Sequence, residues 1–197
     1  MTRFRQSVRT LLRERLLDAA HALVTAEGWS GLRMTAAAAE AGVSRQTAYN
    51  EFGSKEALGE ALVLREAERF LAGVLTELDA HSDDFEQAVT AAVAFTLRTS
   101  AENVLVGAIT AGGPGGELLR YLTTTPESVL GSAVELLDRH IAETWPAIDP
   151  RSRALAVDAA VRLVISYLIQ STDAPEDTAG RIAVMVTRIA GDGAACG

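Results

Sequence analysis

The stretch AEAGVSRQTAYNEFGSKEAL, residues 39–58, gathers Arg45, Gln46, Thr47, Tyr49, Asn50 and Lys55 inside a chain that is acidic overall. Gly42 falls between two helical patterns, residues 34–41 and 44–52. A glycine there predicts a tight turn, because it bends the backbone freely and leaves no side chain to obstruct two closely packed helices. Ser44 is placed to cap the second helix, its hydroxyl accepting a backbone N–H from the first turn. Gly53 stops that helix, and Ser54 caps a longer one to about residue 78. Ala38 is small where the helices touch, and Val43 and Phe52 face a small core. The other side chains point outward. Arg pairs with guanine through two donors, Gln or Asn with adenine, and Thr meets a thymine methyl. Tyr49 and Lys55 suit phosphate oxygens, which position a protein without specifying sequence. On pattern alone the stretch also fits an ordinary helical hairpin with a solvated face.

Working outward, helical spacing continues on both sides. Leu12, Leu16, Ala19, Ala20, Leu23 and Val24 form one apolar stripe of a first helix, which Gly28 ends as a left-handed cap. Asp84 followed by Gln87 reads as a capping box for a fifth helix to about residue 99. Further helices are expected over 103–110, 117–122 and, opened by Thr125 and Pro126, to about 144. Pro146 and Pro150 punctuate before a helix over 152–170, and Pro175 opens the last, ending near 189. No segment alternates with period two, so the fold class is all-α.

Totals narrow the partners. The 197 residues carry net charge −8, which alone argues against a nucleic-acid partner. The charge is uneven, however. Residues 1–60 are net +1 and residues 61–197 net −9, and Arg3, Arg5, Arg9, Arg13 and Arg15 crowd the first fifteen positions. This predicts a head that tolerates a polyanion and a body that does not, unless the arginines are a loose terminus. The single cysteine, Cys196, has no intrachain disulfide partner. With no apolar signal region after the arginines, a cytoplasmic location is expected.

Residues 16–58 resemble the N-terminal domain of the TetR family of bacterial transcriptional repressors. The landmarks are Ala26-Glu27-Gly28-Trp29, Ala38 with Ala41-Gly42-Val43-Ser44, then Tyr49, Phe52, Lys55, Glu56, Ala57 and Leu58. The resemblance implies an Ω-shaped homodimer, each subunit having a helix-turn-helix head (1–55) and a helical body (56–197) that binds a small molecule and dimerises. By position, the base-reading helix falls on residues 44–52, Tyr49 on a backbone-contacting aromatic and Lys55 on a phosphate-contacting lysine. Two departures stand out. Ala37 replaces a larger aliphatic, which predicts looser packing of the second helix. Arg33 replaces a Ser/Thr cap, with Thr35 standing in as the cap or as a phosphate contact. The expected DNA-binding set is thus Thr35, Ser44, Arg45, Gln46, Thr47, Tyr49, Asn50 and Lys55.

The helix over 152–170 carries only a narrow polar stripe, Asp158, Arg162, Ser166 and Gln170. A helix so apolar must be covered on two sides, yet it is too short and too charged to span a bilayer. The last helix shows Ile182, Met185, Val186 and Ile189. By resemblance these two helices form the dimer's four-helix bundle. Leu155, Arg162, Ile165, Ile169, Ile182, Met185, Val186 and Ile189 are the expected interface. A ligand is expected among the preceding helices, walled by Phe95, Leu105, Ile109, Leu119, Tyr121, Leu122, Val134 and Leu137. Few titratable groups lie among these, which favours a long apolar ligand such as a fatty acid, an acyl derivative or a hydrocarbon.

Other classes fare worse. His21, His81 and His140 lack metal-ligand spacing, and no nucleophile-base arrangement is suggested, so neither an enzyme nor a metal or other cofactor is expected. The run AGGPGG lacks the Lys-Ser/Thr ending of a phosphate loop and reads as a connector. A carrier that has lost DNA recognition, and a regulator without a ligand, remain as alternatives.

Overall fold

The computed structural model describes residues 2–102, 129–169 and 173–191. Eight α-helices are present among the described residues, with no strand: α1 (Thr2–Glu27), α2 (Met34–Glu40), α3 (Arg45–Phe52), α4 (Lys55–Ala80), α5 (Phe85–Glu102), α6 (Val129–Thr144), α7 (Pro150–Ile169) and α8 (Pro175–Gly191). The expected helices over 103–110 and 117–122, the AGGPGG connector, and the Thr125-Pro126 start lie outside the described residues.

Local chemistry accounts for most boundaries. Asp84 accepts both the backbone N–H and the side-chain amide of Gln87, each at 3.0 Å, and so caps α5. Its own N–H donates to His81 O at 3.0 Å, so the reciprocal bond of the expected capping box is not made. Ser54 Oγ accepts from Ala57 N at 3.1 Å. Asp149 accepts from the backbone N–H groups of Arg151 and Ser152, so α7 starts at Pro150 instead of 152. Proline suits the first helical position because its missing N–H has no intrahelical role there. Gly28 corrects another expectation: its φ of 72° and ψ of −178° lie outside the left-handed helical region, in a basin open essentially to glycine alone. A single 3-10 turn, Trp29–Gly31, follows it. The first helix begins at Thr2, so the arginine-rich start is helical.

Three apolar clusters hold the helices. In the head, Leu16, Leu17, Ala20 and Val24 of α1 meet Met34, Ala37 and Ala38 of α2, Ala48 and Phe52 of α3, and Leu58 and Leu62 of α4. Ala37 is fully buried within this cluster. Emptying Leu16 or Leu62 to alanine costs about 2–5 kcal/mol. In the body, α5, α7 and α8 share a cluster built on Val89, Val93, Leu97, Ile182 and Val186. Between them, Val74 and Leu78 of α4 pack with Ala88 and Ala92 of α5 and, partly buried, with Phe70, Phe95, Leu137 and Trp145. Helix α4 therefore belongs to both ends of the molecule.

Two details on α4 govern how it is held. Phe95 of α5 fills a notch at Gly73, where an added Cβ would lie 2.4 Å from the ring, and stacks on Phe70 at 5.9 Å. One and a half turns earlier, Arg65 is buried, 7% exposed. Its guanidinium donates to Asp18 at 2.8 Å and to Glu14 at 3.4 Å, both on α1, and to its neighbour Glu66 at 3.3 Å. Its Nη2 sits 3.2 Å from Glu66 off the N–H axis, a Coulombic contact without a hydrogen bond. Removing one partner of a buried charge is far more costly than the pair is worth, so this knot fixes α1 to α4.

Candidate nucleic-acid interface

The site is built on the α2-turn-α3 unit. Gly42 takes φ of 68°, and Val43 N donates to Ala38 O at 2.9 Å to close the turn. A Cβ on Gly42 would meet Arg15 only at 3.5 Å, ordinary contact distance. The turn therefore needs glycine for its backbone angle, and the expected obstruction is not the reason. Ser44 caps α3 as expected, accepting Thr47 N at 3.0 Å, with the two hydroxyls 2.8 Å apart. Ala48 and Phe52 turn into the head core, which leaves the opposite face open.

That face is already ordered. The Arg45 guanidinium lies over the Tyr49 ring at 5.2 Å, and Gln46 Nε2 donates to Asn50 Oδ1 at 2.8 Å. Both are i,i+4 pairs, which meet on one helix surface. Arg45, Gln46, Tyr49 and Asn50 are exposed and Thr47 is half-buried. Lys55 opens α4 beside them, half-buried. The carboxyl of Glu56 next to it is held below the usual carboxylate range, first by its own backbone N–H, then by the Ser54 hydroxyl and the Lys55 charge. Thr35 is exposed on α2 but is not its cap. The cap position is Arg33, whose side chain makes no capping bond and donates instead to Glu27 at 3.1 Å.

One feature escaped sequence reasoning. Glu51, the acidic residue of α3, turns away from the open face and is 8% exposed at its side chain. It accepts from Arg9 Nε at 2.9 Å and lies 3.7 Å from Arg13 Nη1. Arg13 also covers the Phe52 ring at 4.6 Å. Only the tertiary fold brings these residues together.

In the body, the residues expected at the two other sites are dispersed. Phe95 and Leu137 join the cluster against α4. Val134 lies apart, in a surface groove with Glu135, Asp138 and Arg153, where Arg153 forks onto Asp138 at 2.9 and 3.3 Å. Leu105, Ile109, Leu119, Tyr121 and Leu122 lie outside the described residues. On α8, Ile182 and Val186 are 0% and 3% exposed inside the protomer's own core, so they are unavailable to a partner. Ile189 packs on the same cluster. Met185 faces out at 38%, as does its neighbour Val184, and Leu155 of α7 is 59% exposed. Arg162 is exposed and paired with Asp158 at 2.8 Å. Ile165 is half-buried, and the side chain of Ile169 lies outside the described residues. The two helices do line one side of the body, but the outward stripe of α8 runs through Gly180, Arg181, Val184 and Met185, with Tyr167 of α7 alongside.

No group of three potential metal ligands occurs among the described residues. His21 lies 3.9 Å from Glu66, and His140 lies 3.1 Å from Asp79. No helix among the described residues is long and apolar enough to cross a membrane.

A capped helix with a polar outer face, mounted on an all-helical body, defines a helix-turn-helix DNA-binding regulator. The family follows from both parts. Residues 16–62 match the model of bacterial regulatory proteins of the tetR family, and residues 84–188 match that of the bacterial tetracyclin repressor C-terminal domain. The chain belongs to the TetR family of transcriptional regulators, which are not enzymes. It is 32% identical over 187 residues to the HTH-type transcriptional regulator AlkX of Mycobacterium tuberculosis, covering 95% of this chain and 89% of that one. The crystal structure of AlkX from Dietzia sp., a TetR family repressor implicated in biodegradation of n-alkanes, superposes with a TM-score of 0.71 at 29% identity, over 88% of this chain and 94% of that one. FadR of Bacillus subtilis, solved with stearoyl-CoA, shares the fold at a TM-score of 0.57 and 15% identity, over 88% and 96% of the two chains.

Proposed function

We propose that this regulator is a homodimeric repressor, acting in the cytoplasm, that reads a pseudo-palindromic operator and is released by a long apolar molecule. The observation that carries the reading is the open face of α3: Arg45, Gln46, Tyr49 and Asn50 stand out from a helix whose other face is locked into the head core. The division into a head, 1–55, and a body, 56–197, makes α4 the shared strut. Dimerisation through α7 and α8 is supported by the exposed Leu155, Val184 and Met185. Two heads then sit at a separation fit for half-sites about 34–36 Å apart.

A ligand acts only through its preference for the state in which the heads no longer match. Phe95 in its notch at Gly73 is the point where a body ligand would bear on α4, and the Arg65 knot passes the motion to α1. An alkyl chain as the ligand class is supported by the aliphatic body and by the alkane and stearoyl-CoA associations of the similar proteins. The test is to select genomic fragments on the purified protein, then titrate the bound duplex with a long-chain alkane, a fatty acid and its acyl-coenzyme A. Release by one of these, and not by polar aromatics, is the expected outcome. Release only by polar molecules would overturn the ligand class.

A further inference from the structure

An acidic side chain on a helix built to meet a polyanion needs an account, because like charges repel at close range. Glu51 follows directly on Asn50 of the reading face, yet its carboxylate is tucked against α1. There Arg9 and Arg13, one turn apart on the same face of α1, converge on it. The core-packed part of α1 starts near Leu12 and Leu16. The turns before it expose Val8 and Leu11, so Glu51 fastens the basic start of α1 to the recognition helix. Arg9 is 70% exposed at its side chain, within reach of anything that docks beside α3.

We propose that Glu51 masks Arg9 and Arg13 and thereby sets the ratio of sequence-specific to non-specific DNA binding. With the carboxylate present, two guanidinium groups are held against a counter-charge. Without it they become free phosphate ligands, and phosphate contacts strengthen binding to every sequence alike. The same contact steadies α3, so its loss loosens base reading while it strengthens the grip. Glu51 is thus a positioning and specificity-determining residue that touches no base.

This inference rests on the DNA-binding reading, and the test separates the two. The full-length protein first selects a duplex from a random-sequence library. Native and Glu51→Gln proteins are then titrated with that duplex and with a scrambled one of equal length, across a salt series. Glu51→Gln keeps the shape and an acceptor. It is expected to bind the scrambled duplex about tenfold tighter, with a log–log salt slope steeper by about one to two per head, and to show a smaller selected-to-scrambled ratio. Adding Arg9→Ala and Arg13→Ala to Glu51→Gln returns scrambled-duplex binding to the native level. Equal ratios and slopes in the native and Glu51→Gln proteins would remove the mask alone, as would a parallel weakening on both duplexes, which marks a merely structural residue. A native protein that selects no duplex would overturn the DNA-binding reading and this proposal with it.

Discussion

Helices α3 and α8 are built alike on the inside and opposite on the outside. Each buries an apolar face: Ala48 and Phe52 on α3, Ala179, Ile182, Ala183 and Val186 on α8. Outside, α3 presents Arg45, Gln46, Tyr49 and Asn50, whereas α8 presents Val184 and Met185 beside Gly180 and the charged Arg181. The difference teaches what each surface exchanges with water. Polar groups on α3 are well hydrated in solution, and on the proposed reading they would exchange that water for base edges and phosphates. Apolar groups on α8 gain about 25 cal/mol for each Å² covered. The first surface suits a partner that comes and goes, the second a partner that stays.

The comparison breaks first at Met185. Met185→Glu places a charge in the apolar stripe and is expected to convert the dimer to single subunits in sedimentation, with affinity for a selected duplex falling by more than about a hundredfold. A dimer that persists would move the interface elsewhere. Next comes the division within the head. Arg45→Ala is expected to cost about 1–3 kcal/mol on the selected duplex and to relax base preference, whereas Lys55→Ala weakens all duplexes and flattens the salt slope by about one. Anisotropy titrations on several sequences check both, and identical behaviour would erase the distinction between reading and gripping. The smallest effect lies at the start of α7, away from either surface. The Asp149 carboxyl is held below its ordinary range, first by the Ser152 N–H and then by that of Arg151. A lowered folded value means stabilisation present above the unfolded pKa and lost as pH falls through the folded one. Asp149→Asn should therefore lower the thermal midpoint at neutral pH and flatten its acid dependence, with duplex preference untouched.

The two helices were not equally legible. Ser44, Gly42, Gly53 and Ser54 bracket α3 through bonds spanning three or four residues, so its limits and its open face follow from spacing alone. Helix α8 is apolar on more than one side. Periodicity announces a stripe there but not whether the stripe meets the same chain or another, and Ile182 and Val186 proved to be spent inside. Capping by Asp84 was readable because it is local; the pairing of Glu51 with Arg9 was not, because 42 residues separate them. Gly28 was placed correctly at the end of α1, though its backbone angle depends on the 3-10 turn that follows.

Helix α4 runs unbroken for 26 residues, from the head cluster past the Phe95 notch. At 1.5 Å per residue that is a lever about 39 Å long. A tilt of about 5° at one end carries the other by roughly 3.4 Å, the rise of a single base-pair step. If a body ligand displaced Phe95 at the Gly73 notch by about 1 Å with the far end of α4 as the pivot, the same tilt would carry the head by a whole rung.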